Sequence, residues 1–231
     1  SSESRGLGDV YKRQAELSAK ELRLGGLRID PKTNIGSRVT YYNNVKIRNL
    51  KNQKSEITQV KGLPKNPKLS NISWSPDQKR IALTNTTETG VELWVLELEN
   101  GSVTKLTESN LNSNIGSVIN WFSDSENMLV KMISNNRRPL IDTNKIVPDG
   151  PTISTNFGEK AQNRTYQDLL KNKFDEHNFE QLSTSTIYKV SIDGSVKKWM
   201  DDGMYRTISF SPNGEYAVSY THLRAHETHS N

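Results

Sequence analysis

The 231-residue sequence contains no cysteine. Disulfide frameworks and thiolate zinc sites are therefore excluded, although a disulfide-free chain is compatible with any compartment. Long apolar runs are missing too. No window approaches the roughly 20 consecutive apolar residues that a membrane-crossing helix needs, and hydrophobic residues make up only 32% of the chain. Such a polar composition suits thin cores between stacked sheets better than one large core. Charge of one sign is not concentrated anywhere. Lys and Arg number 31 against 26 Asp and Glu, but lysines alternate with acids along the expected strands, which leaves no basic stripe to follow a nucleic acid. Histidine is sparse. Three of the four, His222, His226 and His229, lie in the last ten residues, and only His177 stands inside the chain.

Both ends are set apart from fold reasoning. Residues 1–14, which include RGLGDVYKRQ, and residues 220–231, YTHLRAHETHSN, read as translated sequencing-adapter sequence. Residues 15–219 carry the fold.

Within them one pattern is written three times: residues 70–85 (SNISWSPDQKRIALTN), 115–132 (IGSVINWFSDSENMLVKM) and 206–219 (RTISFSPNGEYAVS). Each copy has an alternating apolar strand ending in an aromatic (Trp74, Trp121, Phe210), a short polar turn, and a returning apolar strand. The turn follows from local chemistry. Proline presets φ at the first central position, and Asp or Asn beside it bonds its own backbone and tolerates a left-handed conformation. Two further stretches, residues 90–107 and 185–200, alternate apolar residues around Asn100-Gly101 and Asp193-Gly194, both tight-hairpin signals. Four strands per repeat predict an all-β fold, a partial β-propeller of about three and a half four-stranded blades.

The interval from Trp121 to Phe210 is about twice that from Trp74 to Trp121, which fits two blades or one blade with an insertion. A single outer strand pair falls within it, so an insertion over residues 135–182 is expected. The insertion holds a Pro/Gly-rich loop (IVPDGPTIS) and RTYQDLLKNKFDEHNFEQL, where Tyr166, Leu169, Leu170 and Phe174 share one face of an amphipathic helix.

LRLGGLRID (22–30), GSRVTYY (36–42), the Trp74 hairpin with ELWV, IVPDGP, RTYQDLLKNKFDEHNF and MYRTISFSPNG, in this order, resemble the N-terminal propeller of glutamyl endopeptidases, members of the prolyl oligopeptidase family of serine peptidases. The resemblance covers nearly all of residues 15–219. It implies a propeller stacked on a C-terminal α/β-hydrolase domain that carries a Ser-Asp-His triad, with cleavage after glutamate. The implied partners are that hydrolase domain and a peptide substrate, and the implied location in a bacterium is periplasmic or exported. A fragment of a stand-alone binding propeller of the Tol-associated type, with a protein or sugar partner, is the alternative.

The chain itself offers little chemistry. The hydrolase nucleophile sits in G-x-S-x-G, where glycines permit the strained strand-to-helix turn, and no such string occurs. Ser102, Ser117 and Ser195 follow glycines at turns and read as turn serines. His177, within FDEHNF, reads as a solvated helix residue, and Asp175, Glu176 and His177 are sequence neighbours that do not converge on a metal. No catalytic residue, metal ligand or cofactor is expected. The substrate-binding candidates are Arg137 and Arg138, whose planar forks could receive an acidic side chain. Arg164 reads as a structural ion-pair residue.

Overall fold

The computed structural model describes residues 21–50, 57–142 and 169–221. Arg164, Tyr166, the IVPDGPTIS loop, residues 1–14 and most of residues 220–231 lie outside them. Fifteen strands are assigned among the described residues, in five antiparallel sheets. A three-stranded sheet comes first, β1 (Leu22–Leu24), β2 (Leu27–Asp30) and β3 (Ile35–Gly36), and a short pair follows, β4 (Lys46–Ile47) with β5 (Thr58–Gln59).

Two four-stranded sheets then form the centre. One runs β6 (Leu69–Trp74), β7 (Arg80–Thr86), β8 (Val91–Glu97), β9 (Val103–Lys105); the other runs β10 (Ile119–Trp121), β11 (Asn127–Ile133), β12 (Ser185–Ser191), β13 (Val196–Gly203). A final pair, β14 (Tyr205–Phe210) and β15 (Ala217–Thr221), starts the next sheet, and β15 extends into the segment set apart as adapter-like. Sequence-adjacent strands pair throughout, as expected of propeller blades. The chain is a partial β-propeller.

Strand alternation explains how the sheets stack. Along β7 and β8, Ala82, Val91, Leu93 and Val95 face one way and meet Ile119, Trp121, Met128 and Val130 of the next sheet. Ile81, Leu83 and Leu96 face the other way, onto Val45, Ile47 and Val60. In β11, Leu129 turns to the far side with Ile187 and meets Tyr205 and Ile208 of β14. The apolar side chains thus form layers between successive sheets, so a modest hydrophobic content suffices.

The repeated turns sit side by side. Trp74, Trp121 and Phe210 each end the first strand of a sheet, and the fourth turn residue is left-handed in each copy: Gln78 at φ 60°, Ser125 at φ 59°, Gly214 at φ 73°. The Asp77 amide donates to Ser125 Oγ at 3.0 Å, linking one turn to the next. Trp121 Nε1 reaches back to the Ser73 carbonyl at 3.2 Å, and the Phe210 ring meets Phe122 at 4.6 Å.

At the opposite ends of the strands, β11 pairs with β12 in continuous register from Asn127↔Ser191 to Ile133↔Ser185. Residues 134–184 are therefore an insertion inside one blade. Its described helix, α1, is Lys173–Ser183, later than the apolar spacing predicts. Leu169 and Leu170 precede it, because Asn172 caps the helix by accepting from the amides of Phe174 and Asp175 at 2.9 Å each. Leu182 and Phe179 of α1 pack with Leu170 on Leu22, Leu24, Leu27 and Ile29 of the β1–β2 hairpin.

Candidate functional site

The chain turns out of β11 through Ser134, Asn136, Arg137 and Arg138, and this turn, the last turn of α1 and the end of β13 enclose a cleft of about 200 Å³. Strand geometry brings the three together. β11 and β13 flank β12, so their ends near Ser134 and Asp202 meet at the same edge of the sheet. Carboxamides fasten the helix end there: Asn112 Nδ2 donates to the carbonyls of Leu182 (3.0 Å) and Thr184 (2.9 Å), and Asn114 Nδ2 donates to Leu182 O at 2.8 Å.

Asp202 anchors one wall. Its carboxylate accepts from Ser134 Oγ at 2.6 Å, Asn136 Nδ2 at 2.9 Å, and Thr186 Oγ1. Burial pushes this carboxyl up, but the donors from Ser134, Thr186 and Asn136 outweigh burial and hold it below the ordinary aspartate value.

The two arginines have different surroundings. Arg138 is mostly exposed, its guanidinium 3.7 Å from Glu180 Oε2, while its backbone amide donates to Gln181 Oε1 at 2.8 Å. Arg137 is half-buried, and its guanidinium donates to Asn34 Oδ1 in the turn between β2 and β3. Among the described residues no carboxylate pairs with Arg137. Burial alone acts on its guanidinium, depressing its proton affinity below the ordinary arginine value.

No protein-family model matches the chain. Among curated proteins it is 30% identical over 220 residues to "Probable glutamyl endopeptidase, chloroplastic" of Arabidopsis thaliana, covering 88% of this chain and 22% of that protein. It is 28% identical over 216 residues to the protein of the same description from Oryza sativa subsp. japonica, covering 88% and 23%. The chain is a relative of the glutamyl endopeptidases. It spans less than a quarter of the length of these relatives. Among solved structures, the Pyrococcus horikoshii acylaminoacyl peptidase in its orthorhombic crystal form superposes with a TM-score of 0.41 at 21% identity, over 75% of this chain and 23% of that one.

In this glutamyl endopeptidase relative the serines after glycines are tied into local turns. Ser102 Oγ donates to Asn100 Oδ1 at 2.7 Å, Ser117 Oγ to Ile119 O at 2.8 Å, and the Ser195 amide to Asp193 Oδ1 at 2.8 Å. His177 is half-buried on α1 with Nε2 at 3.0 Å from Pro139 O, so none of these serines has it as a base. Two groups escaped sequence reasoning. Asp202 could have been flagged from the polar Ser134-x-Asn136 that ends β11 beside the Asp201-Asp202 pair. Lys131 gave no signal, because it occupies an alternating position like any exposed lysine, yet it is 2% exposed. Its ammonium donates to Ile115 O and to Tyr205 O at 3.4 Å, and burial drives its pKa down to about 8.

Proposed function

We propose that the chain is the non-catalytic propeller portion of a serine peptidase that cleaves after glutamate, and that it gates access of peptides to an α/β-hydrolase domain. The observation that carries this reading is identity to glutamyl endopeptidases spread over 88% of the chain. The local chemistry agrees with a scaffold role: no G-x-S-x-G occurs in the sequence, and the turn serines and His177 are engaged separately. Arg137 and Arg138, at the mouth of the insertion, are the segment's candidates for meeting the acidic side chain of a peptide.

The test is to recover the uninterrupted gene from the same template, express it, and assay glutamyl peptides beside the present chain alone. The full product is expected to cleave after glutamate and to be blocked by a serine-directed inhibitor, with the nucleophile in a G-x-S-x-G between a strand and a helix. The chain alone is expected to be inert. Inhibitor-sensitive turnover by the chain alone contradicts the scaffold role, and a gene that ends without that motif leaves a binding propeller instead.

A further inference from the structure

We infer that the cleft between Arg137 and Asp202 is a receptor for a single carboxylate, that Arg137 alone is its charged ligand, and that the Arg138 side chain, which faces Glu180, takes no part in holding it. This rests on the glutamyl-peptide reading above and divides the work of the two arginines, which that reading leaves equal.

A half-buried guanidinium has lost part of its hydration and needs anionic or dipolar partners in return. Among the described residues Arg137 has one side-chain partner, the neutral Asn34 Oδ1, for five donors. Arg138 and Glu180 face each other across the rim, and the Arg138 amide holds the Gln181 side chain, which also lines the cleft. Substituting the Arg138 side chain therefore leaves that backbone contact in place.

The charge of the cleft selects the ligand. Its lining carries two arginines, one glutamate and one aspartate, and the other lining residues are uncharged. Asp202 accepts from Ser134, Asn136 and Thr186, all neutral donors, and makes no ion pair with Arg137. Arg138 faces Glu180, so Arg137 is the cation of the lining that has no carboxylate partner among the described residues, which matches a monoanion. A phosphate dianion would bring a second charge against Asp202 and Glu180, so a carboxylate side chain is the better fit.

The experiment is ligand-observed NMR on the chain with N-acetyl-glutamate α-amide, N-acetyl-glutamine α-amide and inorganic phosphate as probes. The glutamate probe is expected to bind, and the glutamine probe and phosphate to bind at least about tenfold more weakly. Arg137→Gln is expected to abolish binding of the glutamate probe, and Arg138→Gln to change it less than about twofold. Arg137→Lys, which keeps the charge and loses the fork, covers the case of a misfolded glutamine variant. It is expected to bind at least about tenfold more weakly than the parent. Equal binding of the glutamine probe or of phosphate, retention of binding in Arg137→Lys, or an equal loss in Arg138→Gln overturns the assignment. Glutamyl cleavage by the full gene product with no probe binding here sinks only this inference; probe binding with no cleavage sinks only the peptidase reading.

Discussion

The sheets β6–β9 and β10–β13 are built from the same repeat and differ at one connection. In the first, β7 passes to β8 through residues 87–90, where Thr87 Oγ1 accepts from the amides of Thr89 and Gly90 at 3.2 Å each and closes the turn. In the second, residues 134–184 stand at the same place. The polar groups change work accordingly. Glu92 of β8 is enclosed by Asn85, Trp94 and Lys105 of its own sheet, with Ser109 just beyond β9. Asp202 of β13 instead gathers side chains from the strand end and from the mouth of the insertion, and its network borders an open cleft. The difference teaches where this fold admits novelty: strand pairing is fixed by turn chemistry and alternation, so a long segment can leave and re-enter a blade without altering its register.

The largest expected effect comes from the layer on the far side of the interrupted sheet. Leu129 is fully buried against Tyr205 and Ile208, and Leu129→Ala should destabilise by about 2–5 kcal/mol in urea titration. Leu169→Ala, at an exposed position within the insertion, should cost less than about 0.5 kcal/mol. Equal losses would mean that the insertion shares the core of the blade.

A smaller effect, with a diagnostic pH dependence, belongs to Lys131. Its folded pKa of about 8 lies below the ordinary 10.5, and burial is the cause. Between these values the unfolded chain holds the extra proton, so stability should rise with pH across that window, by about 3 kcal/mol in total. Lys131→Met should abolish the slope while leaving Ile115 O and Tyr205 O without their donor. Chemical denaturation at pH 7.5, 9 and 10.5 checks this, and an unchanged slope in the variant contradicts it.

These cases also show why some features were legible in the sequence and others were not. Ser-Pro-Asp and Ser-Pro-Asn turns, Asn100-Gly101 and Asp193-Gly194 encode reversals by local conformational preference, so the strands of the two four-stranded sheets could be read from adjacent residues, whereas the three-stranded and two-stranded sheets before them could not. The insertion was legible because residues 185–200 supply the only outer strand pair between Trp121 and Phe210. The start of α1 was not. The spacing of Leu169 and Leu170 suits a helix, but the Asn172 carboxamide captures the first free amides and sets the boundary there. Arg137 and Arg138 are neighbours of one type in sequence; only the approach of Asn34, distant in sequence, separates the desolvated one from the exposed one. Long-range partners also decide Lys131 and Asp202, and no local pattern encodes them.

The central structural claim is that one blade closes across the insertion, and the absence of cysteine makes it directly measurable. Asn127 and Ser191 are partners at the end of the β11–β12 ladder, whereas Asn127 and Lys189 are out of register. Asn127→Cys combined with Ser191→Cys should oxidise to an intramolecular disulfide readily, and Asn127→Cys combined with Lys189→Cys should not, because cross-linking demands Cα atoms within about 7 Å. Mass spectrometry of non-reduced tryptic peptides reads the result. A disulfide between positions 127 and 191, and little between 127 and 189, is the outcome predicted; no cross-link in the first pair, or equal yields in both, would contradict the interrupted blade.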